Sequence, residues 1–310
     1  MNIVFMGTPA FAVPSLRMLL SEGYNVVAVV TQPDRPQGRK KVLTPTPVKE
    51  VALEHGIPVL QPQRMRSPEA VAELAAYKPD LIVTAAYGQI LPKSVLDLPA
   101  NGCVNVHGSL LPKYRGGAPI QRCIINGETE TGITLMYMAE GLDTGDMIAQ
   151  VKVVIDEEDT SGTLFEKLSL AGAELLKEQM PRLSNGRVEA EKQDESLATY
   201  APNLKREDEK IDWSASTRDI YNQIRGLVPF SGGFALWNGE VFKVWASRKA
   251  DKASKDAAPG TVLQLAEQGI EVKTGDGSLW LTRVQPSGKK QMDAAEFARG
   301  KTMAPGTVLT

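Results

Sequence analysis

The chain has 310 residues, of which 42% are hydrophobic and 23% are charged, as in folded globular proteins with room for two domains. A net charge of −2 excludes a strong overall attraction to nucleic acid. The two cysteines lie outside any Cys-x-x-Cys pattern, which excludes a disulfide scaffold and a thiolate metal site and favours a reducing compartment.

The first part of the chain alternates strand-like and helix-like segments. Residues 2–6 form an apolar, β-rich run without a basic leader, which predicts a buried first strand and not a signal peptide. Strands are also predicted at 26–31, 58–60, 81–85, 104–107, 133–138 and 147–154, and helices at 11–21, 47–55, 68–77 and 160–183. This alternation predicts a Rossmann-like α/β domain, with a mostly parallel sheet and helices on both faces.

The chain changes character near residue 190. A polar stretch of poor periodicity predicts a linker over 190–206, which separates a first domain (1–189) from a second (207–310). The second domain has one predicted helix, 216–225, and five short predicted strands, which are typical of a small β-barrel of the OB type. Residues 1–200 carry a net charge of −5 and residues 201–310 a net charge of +3, so the second domain can accept a polyanionic partner.

Several common signatures are missing. Gly7-Thr8-Pro9 follows the first strand, but no Gly-x-Gly-x-x-Gly does, so a dinucleotide cofactor is not expected. Gly300-Lys301-Thr302 resembles the end of a phosphate-binding loop, yet Ala295 stands where that loop needs a glycine. No Gly-x-Ser-x-Gly elbow occurs either, and no metal site is expected.

The densest motif begins at the end of a predicted buried strand, with Asn105-x-His107. Two residues apart on an extended strand, these side chains share one face, at the sheet edge where ligands of open parallel sheets bind. An amide and an imidazole there can both donate to an oxygen that becomes anionic. A lone histidine is more often structural, but Asn105 and the glycine- and proline-rich loop after His107 favour catalysis. His55, the other histidine, is predicted only to end a helix.

A catalytic histidine needs a group that orients it, and Asp143 is the best candidate. It lies in Gly141-Leu142-Asp143-Thr144-Gly145-Asp146, between two predicted strands. A carboxylate beside the imidazole would favour the imidazolium and could accept a proton from an attacking amine. A hairpin loop with solvated acids explains the same residues equally well, and spacing alone leaves both interpretations open.

Together these motifs resemble the folate-dependent formyltransferases. Asn105-x-His107 precedes Ser109-Leu110-Leu111-Pro112, and Asp143 stands in a Leu-Asp-Thr-Gly turn, as in that family. The stretches MGTP (6–9), TQPDRP (31–36), AYGQILP (86–92) and DTSGTL (159–164) fit as well, and IDW (211–213), KVW (243–245) and GDG (275–277) extend the resemblance to the second domain.

The resemblance implies a function and a set of site residues. It implies transfer of the formyl group of 10-formyltetrahydrofolate to the amino group of methionine on initiator methionyl-tRNA, with Asn105, His107 and Asp143 as catalytic residues. It also implies that the folate is bordered by Ser109, Leu110, Leu111 and Pro112, and that segments 87–91 and 138–142 form walls of the pterin pocket. For Gln89, Ile90 and Leu91, a loop leading into a helix, with the two apolar residues in the core, is the alternative.

A basic, proline-rich segment at 31–47 follows the second predicted strand. It contains too many prolines for a helix and carries Arg35, Arg39, Lys40 and Lys41. A mobile, solvated loop is one interpretation. Its position at the catalytic edge and the resemblance favour a finger that binds RNA phosphates, chiefly through Arg39 and Lys40.

The predicted barrel offers a second group of basic side chains. They are Arg248, Lys249, Lys252, Lys255, Lys289 and Lys290. Each of them taken alone is better explained as ordinary protein surface, and fold analogy is a weak argument for RNA binding.

Two rival functions remain. Formyltransferases acting on other amines, and formylfolate hydrolases, use the same three residues, although the second domain and the basic segment count against them. A non-enzymatic RNA-binding relic is the other rival, and the intact Asn105, His107 and Asp143 count against it. We expect a cytoplasmic protein, in line with the reducing compartment that the cysteines favour. We also expect a monomer, because two domains with a linker can bury their own cores.

Overall fold

The computed structural model describes residues 1–251 and 256–310, so Lys252 and Lys255 lie outside the described residues. The chain forms two compact units. The first comprises Met1–Gly117, Glu130–Val154 and Phe165–Ala201, and the second comprises Ala118–Thr129, Ile155–Leu164 and Pro202–Thr310. The elements in chain order are β1 (Asn2–Gly7), α1 (Val13–Ser21), β2 (Asn25–Val30), β3 (Arg35–Gln37), β4 (Val42–Thr44), α2 (Pro47–Glu54), β5 (Val59–Leu60), α3 (Pro68–Ala75), β6 (Leu81–Ala85), α4 (Lys93–Leu96), β7 (Cys103–His107), α5 (Pro119–Ile125), β8 (Glu130–Tyr137), β9 (Met147–Val154), α6 (Ser161–Ser184), α7 (Arg206–Glu209), α8 (Thr217–Leu227), β10 (Gly233–Trp237), β11 (Glu240–Lys249), β12 (Val262–Ala266), β13 (Gly269–Lys273), β14 (Ser278–Gln285), β15 (Met292–Asp293) and α9 (Ala294–Arg299).

A seven-stranded sheet forms the first unit, in the order β5-β2-β1-β6-β7-β8-β9. The first five of these strands are parallel, whereas β8 runs antiparallel to both β7 and β9. β1 and β6 are almost entirely buried because helices flank the sheet. The predicted Rossmann-like, mostly parallel sheet is confirmed.

Local capping signals explain where the helices begin. α2 and α3 each start with a hydroxyl residue followed by proline: Thr46 accepts a hydrogen bond from the Lys49 amide, and Ser67 accepts one from the Ala70 amide. At the start of α6, the Thr160 hydroxyl accepts from the Thr163 amide at 3.2 Å. The predicted helix end at His55 is also confirmed, since this residue caps α2.

The basic segment folds into a small antiparallel hairpin, which the sequence did not predict. β3 pairs with β4 in the register Arg35 to Thr44 and Gln37 to Val42. Pro36 is compatible with this because a two-stranded ribbon leaves one side of each strand unpaired. The short elements α4, α5, α7, α9 and β15 were not predicted either, because each is too short to show a hydrophobic period.

The second unit contains an antiparallel sheet in the order β10-β11-β14-β13-β12, with β15 beside β14. Its two edge strands are joined through the last residues of the chain. Leu236 of β10 exchanges two backbone hydrogen bonds with Thr310, and the Val262 amide of β12 donates to the Thr307 carbonyl at 2.7 Å. These bonds close the sheet into the predicted small barrel around a core that includes Trp213, Phe242 and Leu309.

Candidate active site

Asn105 and His107 lie on one face at the carboxyl end of β7. In the next strand Thr84 is the register partner of Asn105, and its buried hydroxyl donates to Asn105 Oδ1 at 2.8 Å. Asn105 Nδ2 donates to no residue within 1–251 or 256–310. The amide is therefore held with its donor group free to serve a bound molecule.

His107 is 6% exposed, and oxygen acceptors face both of its ring nitrogens. Nε2 is 3.1 Å from the Tyr114 carbonyl oxygen, and Nδ1 is 3.7 Å from Asp143 Oδ2. A carbonyl oxygen only accepts, so Nε2 carries the proton of its hydrogen bond. The 3.7 Å separation exceeds hydrogen-bond length, so Nδ1 remains available to a substrate or water.

Asp143 lies in a connection that begins at the opposite end of β7 from His107. Because β8 is antiparallel to β7, its last residue, Tyr137, pairs with Val104 near the start of β7. The chain then folds back so that the Asp143 carboxylate lies beside His107, with Oδ2 accepting from the Gly116 amide at 2.8 Å. Oδ1 accepts no hydrogen bond from the described part of the chain, so it can receive a proton.

The predicted pterin-pocket segment after β6 is tied to its neighbours mainly through Gln89. Its Oε1 accepts from the Met65 amide at 2.7 Å, and its Nε2 donates to Gln32 Oε1 and to the Pro62 carbonyl, both at 3.1 Å. Ile90 is 84% exposed, whereas Leu91 is buried in the core. The core interpretation therefore holds for Leu91 but not for Ile90, which offers a free apolar surface.

Tyr87, in the same segment, is a buried, neutral side chain. Burial raises the pKa of its phenol to about 12. It packs in one buried cluster with Leu91 and Cys103, which Met138 contacts from the segment that leads to Asp143. The two predicted walls, 87–91 and 138–142, thus meet at this cluster.

The segment from Ser109 to Pro112 follows His107 directly. Ser109 is 1% exposed, and its hydroxyl donates to the Lys113 carbonyl. Leu111 is also buried, and Thr134 accepts from its amide. Leu110 and Pro112 are half-buried. Ser109 and Leu111 shape the loop from within, and Leu110 and Pro112 have accessible surface.

The basic side chains of the hairpin are exposed, with Arg39 and Lys40 at its turn. The turn is closed by a bond from the Lys41 amide to the Gly38 carbonyl, and Gly38 and Lys41 have φ values of +71° and +48°. The base of the hairpin is anchored by Asp34, which pairs with Lys49 at 2.8 Å. The Lys49 hydrogen bond holds the pKa of this carboxyl below its usual range.

Three polar residues surround the site without having been predicted for it. Arg115 is 1% exposed and lies in the glycine- and proline-rich loop after His107, and its charge beside two glycines was the only available signal. Thr84 resembles any strand threonine. Gln193 lies within the predicted linker, where no period or motif marks it.

Neither a metal site nor a membrane span is found in the described residues. No group of three or more His, Cys, Asp or Glu side chains there could hold a metal ion. No helix in those ranges combines the length and apolarity needed to cross a bilayer.

Residues 1–180 match the family model described as formyl transferase, and residues 203–302 match the one described as formyl transferase, C-terminal domain. This chain belongs to the formyl transferase family. Methionyl-tRNA formyltransferase of Bacillus subtilis strain 168 is 58% identical over 309 residues, covering 99% of this chain and 97% of that protein. The protein of the same name from Halalkalibacterium halodurans is 55% identical, covering 100% and 98%.

Among solved structures, the N-formyltransferase from Helicobacter canadensis in complex with folinic acid and dTDP-3-aminofucose resembles this formyl transferase with a TM-score of 0.69. The two are 23% identical, and the match covers 89% of this chain and 97% of that one. The likeness shows a shared fold.

Proposed function

We propose that this formyl transferase moves the formyl group of 10-formyltetrahydrofolate to the amino group of methionine on initiator methionyl-tRNA, which yields N-formylmethionyl-tRNA for translation initiation. The observation that carries the proposal is its 58% identity, over nearly the whole of both chains, to a protein named methionyl-tRNA formyltransferase. The grouping of Asn105, His107 and Asp143 supports it with a site suited to acyl transfer.

Asn105 and His107 would stabilise the tetrahedral intermediate. The methionine amine attacks the formyl carbon, and the formyl oxygen becomes anionic. Asn105 Nδ2 is free and oriented by Thr84. His107, with both ring nitrogens protonated, would donate to the oxygen from Nδ1, the nitrogen that Tyr114 leaves available. Removing one such donor typically costs about 10²–10³ in rate.

Asp143 would move the proton. The attacking nitrogen must lose a proton, and folate N10 must gain one when its bond to the formyl carbon breaks. Oδ1 of Asp143 is free to take that proton, while Oδ2 is held by the Gly116 amide. General acid–base groups of this kind contribute about 10²–10⁴ in rate.

The folate would lie against the two walls and the segment after His107. We assign direct contacts to Ile90, Leu110 and Pro112, which have accessible surface. Gln89, Leu91, Ser109 and Leu111 would shape the pocket, since their side chains are engaged or buried. No metal is required, because hydrogen-bond donors serve the anionic oxygen.

The RNA would be bound by both domains. Arg35, Arg39, Lys40 and Lys41 of the hairpin would contact phosphates near the aminoacylated end. We assign catalysis to residues 1–189, further RNA contacts to residues 207–310, and a connecting role to residues 190–206. We further propose that the protein is a cytoplasmic monomer.

The test is formyl transfer from 10-formyltetrahydrofolate to methionyl-tRNA by the purified protein. His107→Ala and Asp143→Asn should each slow transfer by about 10²-fold or more. The matched controls are His55→Ala, at an exposed helix end, and Asp146→Asn, in the same connection as Asp143. Both controls should remain active.

Other outcomes would redirect the assignment. Formate release without an amine acceptor would indicate a formylfolate hydrolase, and transfer to a small amine but not to RNA would indicate another formyltransferase. RNA binding without any reaction would indicate a non-enzymatic relic.

A further inference from the structure

Arg115 is a buried charge whose counterion lies at the surface. Its guanidinium donates to the Glu195 carboxylate at 2.9 and 2.7 Å, and the Glu195 side chain is 67% exposed. Nε and Nη2 also donate, at 3.1 and 2.9 Å, to Oε1 of Gln193. Burying a guanidinium is costly unless its donors are satisfied. Here two of the donors are satisfied by the neutral amide of Gln193.

Gln193 links Arg115 to the connection that contains Asp143. Its Nε2 donates to the carbonyl oxygens of Asp143 at 2.7 Å and Gly145 at 2.8 Å. A guanidinium only donates and a carbonyl only accepts, so the orientation of the amide is fixed from both sides. The side chain is 8% exposed, so water does not compete freely for these bonds.

Asp143 needs such support because of its backbone conformation. Its φ is +51°, in the left-handed region, which a non-glycine residue adopts at a cost and only where neighbours hold it. Gln193 holds its carbonyl, and the Gly116 amide holds its carboxylate. Gly116 in turn follows Arg115, whose amide donates to the Thr199 carbonyl at 2.9 Å and whose carbonyl accepts from the Ala201 amide at 2.6 Å.

We infer that Arg115 and Gln193 are positioning residues that set the Asp143 carboxylate opposite His107. The side chain of Arg115 orients Gln193, which donates to the Asp143 carbonyl, and the main chain of Arg115 holds Gly116, which donates to the Asp143 carboxylate. Both hydrogen bonds to Asp143 therefore depend on Arg115. We call residues 193–201, which supply Gln193, Glu195, Thr199 and Ala201, the strap. The inference rests on the proposed function, in which Asp143 transfers a proton.

Gln193→Glu is the sharpest variant. Glutamate keeps the shape of the side chain and still accepts from Arg115. It replaces the Nε2 donor by a carboxylate oxygen, however, and that oxygen would repel the carbonyl oxygens of Asp143 and Gly145. Misplacement of a reacting group by about 1 Å can cost 10²-fold in rate, so we expect kcat for formyl transfer to methionyl-tRNA to fall by about 10- to 10²-fold. The KM values for both substrates should stay within about twofold, because no binding contact is removed. Gln179→Glu, on α6, makes the same chemical change outside the site and should leave kcat unchanged.

A double-mutant cycle separates positioning from general damage. If Gln193 acts through Asp143, Gln193→Glu should slow the Asp143→Asn enzyme by less than about twofold. An equal loss in both backgrounds, or no loss in the wild-type background, would overturn the inference. Gln193→Leu, which removes both donors without adding charge, repeats the cycle if Gln193→Glu does not fold. If the wild-type protein is inactive on methionyl-tRNA, the proposed function is refuted as well. If the wild type is active but the cycle shows no coupling between Gln193 and Asp143, only the positioning role is refuted.

Discussion

Gly116 shows how closely the loop after His107 is packed. Its φ is +117°, and an added Cβ would lie 2.8 Å from the carbonyl oxygen of Ala201 in the strap. Backbone cannot move aside as a flexible side chain can. Only glycine therefore allows the amide at this position to reach the Asp143 carboxylate.

Gly116→Ala should lower both stability and activity. Backbone strain of this kind costs about 1–3 kcal/mol, and relief of the clash would pull the amide from Asp143, so formyl transfer should fall about tenfold or more. Thermal unfolding and transfer kinetics measure the two effects.

Gly186→Ala is the matched control, since its φ is +127° and nothing lies within 4 Å of an added Cβ. It should lose a similar amount of stability, about 1–3 kcal/mol, to the same backbone strain, and no activity. Equal loss of activity in both variants would show that the contact with Ala201 is not what matters.

At the scale of elements, the β3–β4 hairpin presents charge from a fixed base. Hydroxyls of Thr31 and Thr46, 2.7 Å apart, join its two ends, and Gln61 donates to Asp34 beside them. The turn that carries Lys40 is exposed. A charged tip on an anchored base is suited to contacting phosphates without reading bases.

Lys40→Gln should weaken RNA binding and leave the fold intact. Losing one phosphate contact lowers the slope of log K against log salt by about one, whereas the KM for the folate should not change. Binding of methionyl-tRNA over a salt series tests this.

Lys78→Gln serves as the control, because Lys78 is exposed and precedes β6, at the opposite edge of the sheet. An equal change of slope in both variants would mean that Lys40 acts only through net charge.

The closing segment of the barrel places neighbouring residues in opposite environments. Leu309 is 1% exposed in the second core, whereas Val308 is 50% exposed. Leu309→Ala should destabilise the protein by about 2–5 kcal/mol, and Val308→Ala should change stability by less than about 0.5 kcal/mol. Denaturant unfolding measures both, and similar values would show that the segment does not complete the core.

Sequence patterns predicted the elements with a clear pattern of apolar residues and missed the elements without one. The strands of the first sheet are mostly apolar runs and helix α6 is long, so these elements were predicted within a few residues of their observed bounds. The pairing of Asn105 with His107 followed from strand alternation. That Asp143 joins them depends on a connection that folds back over the sheet, and spacing could not show this.

Gln193 and the closing of the barrel were beyond sequence reasoning for a related reason. Gln193 acts through one amide in a segment without regular structure, and Thr310 joins β10 only by backbone bonds that any residue could make. Such contacts arise from tertiary structure and leave no pattern in composition or period.

At the scale of the whole molecule, many carboxylates are held charged by their neighbours. Hydrogen bonds from Arg115 to Glu195, from Lys249 to Glu157 and from the Thr217 amide to Asp276 lower the pKa of each of these carboxyls. The same direction applies to Asp34, Asp194, Asp208 and Asp212. A lowered pKa in the folded state means that the folded protein binds protons less readily than the unfolded chain.

Stability should therefore be lost in acid. The contribution of these carboxylates is complete above their ordinary pKa values, near 4, and disappears as the pH falls through the lowered ones. We expect Tm to decrease from about pH 5 downwards.

Asp276→Asn should lower Tm at pH 7, with the difference from wild type vanishing in acid. Glu189→Gln, at an exposed residue without a partner in the described ranges, should follow the wild-type curve, and a Tm that is flat down to pH 3 would contradict the prediction.

The strap also limits how members of this family can be recombined. Residues 181–202 lie between the two family models, where a chimera would most naturally be joined. A crossover before Gln193 would exchange the side chain that holds the Asp143 backbone, while Asn105 and His107 stayed in place. Such a hybrid could fold, bind both substrates and still turn over slowly, so a productive exchange of second domains should keep the native chain through Ala201.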